Sequence, residues 1–349
     1  MSEAFFVAET WNIRRIFVSL TDCNRVRDLC PSSGIRPPGQ ETGRADDSLL
    51  ERKLSEEWEV FCFQKYMIEY QIANHGAELQ SLKVNGEEYL WHGDPKYWGR
   101  RSPILFPMVG KVYGGVFRVD GKEYPMGQHG FARDSEFVKV GERYVLAGCP
   151  LEKYPYKFEL SVRYRVDDQR FYAEWEVLNC DTKPMHFQLG AHPALLLPDY
   201  HEEDPVHGYL QCFDGYGKVV EQPMLSHGLD GGYLTELDAP VPMPVSEKGL
   251  LPITDETFSI DTFMLEHGAV KSVTLLDKNK KPYLTVGSDQ TEAYGIWAPY
   301  RPVCPFVCLE PWCGITDLVG FNGDISERYL NHRLAPGEKF AFTYWIEIA

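Results

Sequence analysis

From Phe61 onward the chain alternates apolar and polar positions with a period of two, beginning with Tyr66, Ile68, Tyr70 and Ile72. That period turns one strand face toward a core and the other toward solvent. The longest run, Phe158, Leu160, Val162, Tyr164 and Val166, turns through 167–170 and returns as Phe171, Ala173, Trp175 and Val177, predicting a long hairpin. Two shorter hairpins are predicted at Asn85-Gly86 and Asp120-Gly121, because these dipeptides supply the positive φ angles a tight turn demands. Further strands are predicted at 271–276, 282–287, 293–297, 306–310 and 340–348. No long helical pattern follows Trp58, and no strand–helix–strand rhythm appears. The expectation is an all-β, antiparallel sandwich or barrel. Two similar hairpins are too few for a propeller or solenoid.

Residues 1–57 break this pattern. The stretch 31–47 has linker-like composition, and Leu49, Leu50, Leu54 and Trp58 are spaced as on a short amphipathic helix. The expected organisation is an N-terminal extension, 1–57, partly flexible and without evident chemistry, followed by one β domain over 58–349. Within the domain, 198–260 carries seven prolines and reads mostly as loop, of the kind that walls a binding site.

Composition narrows the class. With 349 residues, 44% of them hydrophobic, a large core needs neither disulfides nor metal. A net charge of −16 argues against nucleic acid and anionic membranes, which call for a basic face, but leaves a neutral sugar open. The nine cysteines include no CxxC pair, and the spacings within Cys304, Cys308 and Cys313 match no common zinc pattern. They read as small apolar residues in a reducing compartment. No metal or cofactor is expected. Early charges at Glu3, Glu9, Arg14 and Arg15 interrupt any signal-peptide core, and no apolar run approaches the ~20 residues of a membrane span. The expected location is the cytoplasm.

The chemistry centres on Pro305-Phe306-Val307-Cys308-Leu309-Glu310-Pro311-Trp312. A glutamate on a buried strand is desolvated, which raises its pKa and makes it a better base. Taken alone it reads rather as a strand-end partner for a surface cation, since perturbed carboxylates are often only structural. His129, in Gln128-His129-Gly130, and His192, in Gly190-Ala191-His192-Pro193, stand out among ten histidines because glycine nearby lets backbone and ligand approach. His186 competes with His192, whereas His207 and His227 sit in polar or turn-like sequence and are given no role. Lys111 alone reads as a solvated charge, Asp261 as a turn residue, and Arg133-Asp134 as a local ion pair or turn.

Five ordered segments resemble the aldose 1-epimerase (galactose mutarotase-like) family. They are Gly76-Ala77-Glu78-Leu79-Gln80-Ser81-Leu82, Trp98 with Pro103–Pro107, Asp120-Gly121-Lys122 with His129–Arg133, Ala191–Ala194, and Cys308–Trp312. The likeness covers about 66–349 and is nearest to the bacterial epimerase-like branch associated with lactose operons. It implies a β-supersandwich and an isomerase, a mutarotase interconverting α and β anomers of a hexose. In that role Glu310 aligns with the general base and His192 with the general acid, while His129, Lys111 and Asp261 bind the sugar. The main mutarotases have Asn-Arg where this chain has Gly110-Lys111, and lysine lacks the bidentate fork. Their His-x-Tyr-Phe-Asn segment is here His192-Pro193-Ala194-Leu195-Leu196. Alternatives are a non-catalytic carbohydrate-binding or sensing protein, a sugar-phosphate epimerase using Lys111, Arg101 and Arg133, and a glycosidase pairing Glu310 with Asp317 or Asp261. The partner is a small sugar, and the chain a monomer or homodimer.

Overall fold

A computed structural model describes residues 66–349, apart from 222–224, 238–239 and 247. The extension 1–57 and the helix expected near its end lie outside the described residues. The long hairpin read from alternation forms as Phe158–Asp167 and Arg170–Asn179. Burial alternates strictly along the second strand, with Phe171, Ala173, Trp175 and Val177 inside. This hairpin lies within a nine-stranded antiparallel sheet. The strand order runs Leu250–Ile253, Gly208–Phe213, Ser272–Leu276, Pro282–Gly287, Lys339–Ile348, Arg170–Asn179, Phe158–Asp167, Arg143–Ala147, Val138–Val140.

The second large sheet orders Phe263–Leu265, Ala293–Trp297, Phe306–Cys313, Leu189–Ala191 and Ile104–Leu105, with Ala194–Leu196 also paired to Phe306–Cys313. Apolar side chains of both sheets, among them Val162, Trp175, Val286, Ile296 and Leu309, share one buried core. The Tyr294 hydroxyl crosses it to donate to the Val286 carbonyl at 3.0 Å. The fold is an antiparallel β-sandwich. Among the described residues no helix is long and apolar enough to cross a membrane.

The short hairpins turn where the sequence places them. Asn85 and Gly86 have φ of 52° and 88°, and Asp120 and Gly121 have 51° and 76°. The segment 198–260 is less irregular than its prolines suggest. Gly208–Phe213 joins the nine-stranded sheet with alternating burial, and Leu250–Ile253 forms its edge. Pro252 is tolerated there because one side of an edge strand needs no ladder donor.

Candidate active site

Phe306–Cys313 runs inside the six-stranded sheet with all eight residues buried. Along one of its sides Gly190 pairs with Trp312 and Ala194 with Cys308. The register is the same before and after the break at His192-Pro193, so His192 falls opposite Glu310. Opposed residues on one face bring their side chains together, and His192 Nε2 lies 3.3 Å from Glu310 Oε2. The strand continues past Pro311, where the sequence reading stops it at Glu310. Backbone groups alternate sides along a strand, and Leu309 N–H bonds to Pro193 O, so Pro311 faces the interrupted ladder, where a missing N–H costs little. The Trp312 indole packs where side chains on the neighbouring strands would stand: a Cβ on Gly190 or Gly295 would lie 2.6 or 2.4 Å from it.

Both members of the pair are buried, at 6% exposure for His192 and 1% for Glu310. Burial pushes the Glu310 carboxyl well above its usual range, and the nearby Asp261 charge adds to the effect. Burial, with the Arg133 and Arg100 charges, holds His192 down to about 3. A single proton on the pair therefore rests on Glu310, leaving the imidazole neutral. The two close atoms are not aligned as a hydrogen bond, so Oε2 lacks a directed donor, and His192 Nδ1 is also unpartnered. Trp98 stacks on the imidazole at 4.8 Å and Trp297 meets it edge-on at 5.7 Å, which fixes the ring plane.

His129 enters from another direction. Its backbone N–H donates to Gly110 O at 2.7 Å, and Gly110 N–H donates to its Nδ1 at 3.1 Å. The neutral ring thus carries its proton on Nε2, and the Gln128 side-chain amide 3.2 Å away accepts it only when its oxygen faces the ring. Burial, the competing His192 ring and the Arg133 charge hold it well below the usual histidine range. This clamp requires glycine at 110, where a Cβ would stand 2.3 Å from that of Thr316.

The five sequence-designated residues converge. Glu310, His192, His129, Lys111 and Asp261 all line one cavity of about 300 Å³. Lys111 contributes mostly its stem, since its ammonium donates to Gly231 O at 2.6 Å. Asp261 is exposed, at φ 78°, and accepts from the Thr262 hydroxyl at 3.1 Å. His186, the competitor, instead contacts Asn331 on a separate two-stranded sheet. Asp317 lies outside the cavity lining, held by the buried Arg328 at 2.6 Å, which removes it as a second glycosidase carboxylate.

Sequence reasoning missed part of the lining. Trp98, Trp297 and Trp312 wall the cavity, and aromatic faces near a candidate sugar site were the available signal. Arg133 does sit in a short 3-10 turn with Asp134, but the pair is loose at 3.8 Å, Asp134 being held by Arg100 at 2.8 Å. Arg133 also lines the cavity, and its guanidinium donates to Gln128 O at 2.6 Å. His207 and His227, read as lying in polar surroundings, are both buried, 3.0 Å from Asp255 and Glu266 respectively.

Known proteins are similar to this chain in sequence and fold. The profile of the family described as Aldose 1-epimerase matches residues 61–347. The chromosomal Protein LacX of Lactococcus lactis subsp. lactis is 31% identical over 260 residues, 70% of this chain and 85% of that protein. A galactose mutarotase related enzyme from Lactobacillus acidophilus superposes with a TM-score of 0.71 at 29% identity, covering 81% of this chain and 95% of that one. A galactose mutarotase-like protein from Lactobacillus casei gives 0.72 at 28%, covering 81% and 97%. On sequence and fold together, the chain belongs to the aldose 1-epimerase family.

Proposed function

We propose that this protein is a mutarotase, interconverting the α and β anomers of a hexose or related sugar by acid/base ring opening and closing. The carrying observation is the buried carboxyl–imidazole pair, 3.3 Å apart, in a cavity near the lower limit of the ~300–1,000 Å³ typical of small-molecule sites. That volume suits one sugar ring rather than a chain of them.

Ring opening needs one group that takes a proton and one that gives it. Sugar hydroxyls donating to Glu310 Oε2 fill its missing hydrogen bond and favour the carboxylate, moving the pair's proton to His192. Glu310 then accepts the anomeric hydroxyl proton, the bond between the anomeric carbon and the ring oxygen breaks, and His192 protonates that oxygen. Rotation about the adjacent carbon–carbon bond presents the other aldehyde face. For closure His192 takes back the proton from the attacking hydroxyl and Glu310 returns its own to the new anomeric oxygen. The pair ends with the proton it began with. His129 offers its Nε2 proton to the sugar, Asp261 accepts from its hydroxyls at the rim, and the tryptophans pack its C–H faces.

Polarimetry on freshly dissolved α-galactose and α-glucose tests this reading. The protein is expected to speed the approach to equilibrium in proportion to its concentration. Saturable sugar binding without acceleration would favour a sugar sensor on the same fold.

One observation favours an anionic sugar as substrate. The Arg133 side chain is 15% exposed at the cavity wall; it donates to Gln128 O at 2.6 Å, while its Nε has no hydrogen-bond partner, Asp134 lying 3.8 Å away. Burial, with the neighbouring Arg100, pulls its pKa down to about 10, so its charge is poorly solvated and a bound anion would favour it. Hydrogen bonds to charged groups contribute ~1.5–3 kcal/mol, so Arg133→Gln should raise KM for a hexose 6-phosphate ~10–100-fold. KM for the free hexose should shift by less than ~3-fold on the same scale. Equal shifts for both sugars would remove the phosphate reading.

A further inference from the structure

Cys308 has no part in the proton relay, yet it stands on the same strand two residues before Glu310, so both side chains face the same way. Its Sγ, a His192 ring nitrogen and a Glu310 carboxylate oxygen all lie within 4.8 Å of one another, and all three residues are buried. We propose that these three side chains form a site for a thiophilic divalent cation such as Zn²⁺, which silences the enzyme by occupying both proton-transfer groups. The inhibitory consequence rests on the mutarotase reading; the coordination does not.

The donor set suits such an ion. Zn²⁺ takes thiolate at ~2.3 Å and imidazole or carboxylate at ~2.0–2.2 Å, so its tetrahedral ligands sit roughly 3.3–3.7 Å apart. Small side-chain rotations close the remaining gap. One thiolate and one carboxylate cancel the divalent charge, a condition for holding an ion in a buried place. The sulfur favours Zn²⁺ over Mg²⁺ or Ca²⁺, which prefer oxygen. Independently, Glu310 Oε2 is buried with no directed hydrogen bond, a polar atom short of a partner within the triangle. His192 and Glu310 border the cavity, which offers the ion an entry path and a fourth position for water. Coordination replaces the Cys308 thiol proton, and that of Glu310 where it is protonated; both leave to solvent. Cysteine spacing along the chain matches no zinc motif because the ligands come from two neighbouring stretches of the sheet.

Among the described residues Glu292, Cys313 and His332 form a second such cluster, with His332 Nε2 already 3.0 Å from Glu292 Oε2, and it serves as the control. Full-length protein titrated with Co²⁺ in thiol-free buffer should develop a near-ultraviolet thiolate-to-cobalt charge-transfer band that Zn²⁺ abolishes. The band should be lost in Cys308→Ala and kept in Cys313→Ala. Zn²⁺ should suppress wild-type mutarotation reversibly with EDTA. Cys308→Ala should keep its activity with zinc sensitivity at least ~10-fold lower, the smallest loss usual even for outer-shell partners of a metal. Should that variant fail to fold, Cys308→Ser preserves volume and reads the same way. No band in wild type, or a band that survives in Cys308→Ala and vanishes in Cys313→Ala, overturns the proposal. A cobalt band dependent on Cys308 in a protein without mutarotation supports the site and removes the proposed activity instead.

Discussion

Glu310→Gln is expected to lower kcat for mutarotation by ~10²–10⁴-fold, the usual contribution of a positioned acid or base and equivalent to ~3–5 kcal/mol. The amide has the shape of the carboxyl but cannot carry the proton between the anomeric oxygen and the enzyme. Folding is not the expected cause of the loss, because the substitution removes a carboxyl that burial holds well above its usual range. His192→Gln should lose a similar factor. The double variant should fall little below either single one, since half of a two-group relay transfers nothing. Initial rates by polarimetry, with the spontaneous rate subtracted, give all three values. Multiplicative losses in the double variant would mean that the groups act independently and that the close pair is structural.

The largest expected effect on stability is at Gly130. It has φ of 73°, and a Cβ there would lie 2.1 Å from Phe106 O, 2.4 Å from Phe106 C and 2.7 Å from Pro107 N. All three are backbone atoms, so no side chain can swing aside. Phe106 O also accepts the N–H groups of Phe131 and Ala132, and moving it breaks both bonds. Left-handed strain alone costs ~1–3 kcal/mol, so Gly130→Ala is expected to cost at least ~3 kcal/mol and lower Tm by about 10 °C. Gly121 isolates the contribution of the clash. Its φ is 76° with nothing within 4 Å of a Cβ, so Gly121→Ala should show the backbone strain alone. Calorimetry giving equal losses for the two variants would contradict this account of the His129 loop.

Period-two alternation was sufficient for the long strands of the nine-stranded sheet, because their inward residues are apolar almost without exception, as in Arg170–Asn179, but it did not reveal short strands such as Arg143–Ala147 or Leu189–Ala191. It was insufficient where proline dominates: Gly208–Phe213 carries a clear alternation, Leu210 and Cys212 inward, but lies among proline-rich stretches and reads as loop. The site was legible through residues whose chemistry is unusual for their setting, a glutamate inside an apolar strand and two histidines beside glycines. The resemblance to a known family assigned their roles. What brings Glu310 and His192 together is a register conserved across a broken ladder, a pairing between chain segments over a hundred residues apart that no local pattern encodes. Arg133 and Asp134 form the turn and the ion pair that the sequence suggests, but the place of Arg133 in the cavity wall was not legible for the same reason, since it depends on segments distant in the chain. Cys308 gave no metal signal because its prospective co-ligands include a residue from the opposing chain segment.

The claim at the centre is that Glu310 and His192 work by sharing one proton. The pH dependence of kcat/KM, followed by polarimetry, reads the proton count of the free enzyme. Activity requires one proton on the pair, so the acid limb marks arrival of a second proton on His192, held down to about 3 by burial and Arg133. The alkaline limb marks departure of the first from Glu310, raised well above its usual range. The account predicts a kcat/KM that stays level as pH falls through 6.5 and declines only below ~4. A decline centred near 6.5, the pKa of a histidine in water, would show an imidazole titrating alone and would contradict the shared proton.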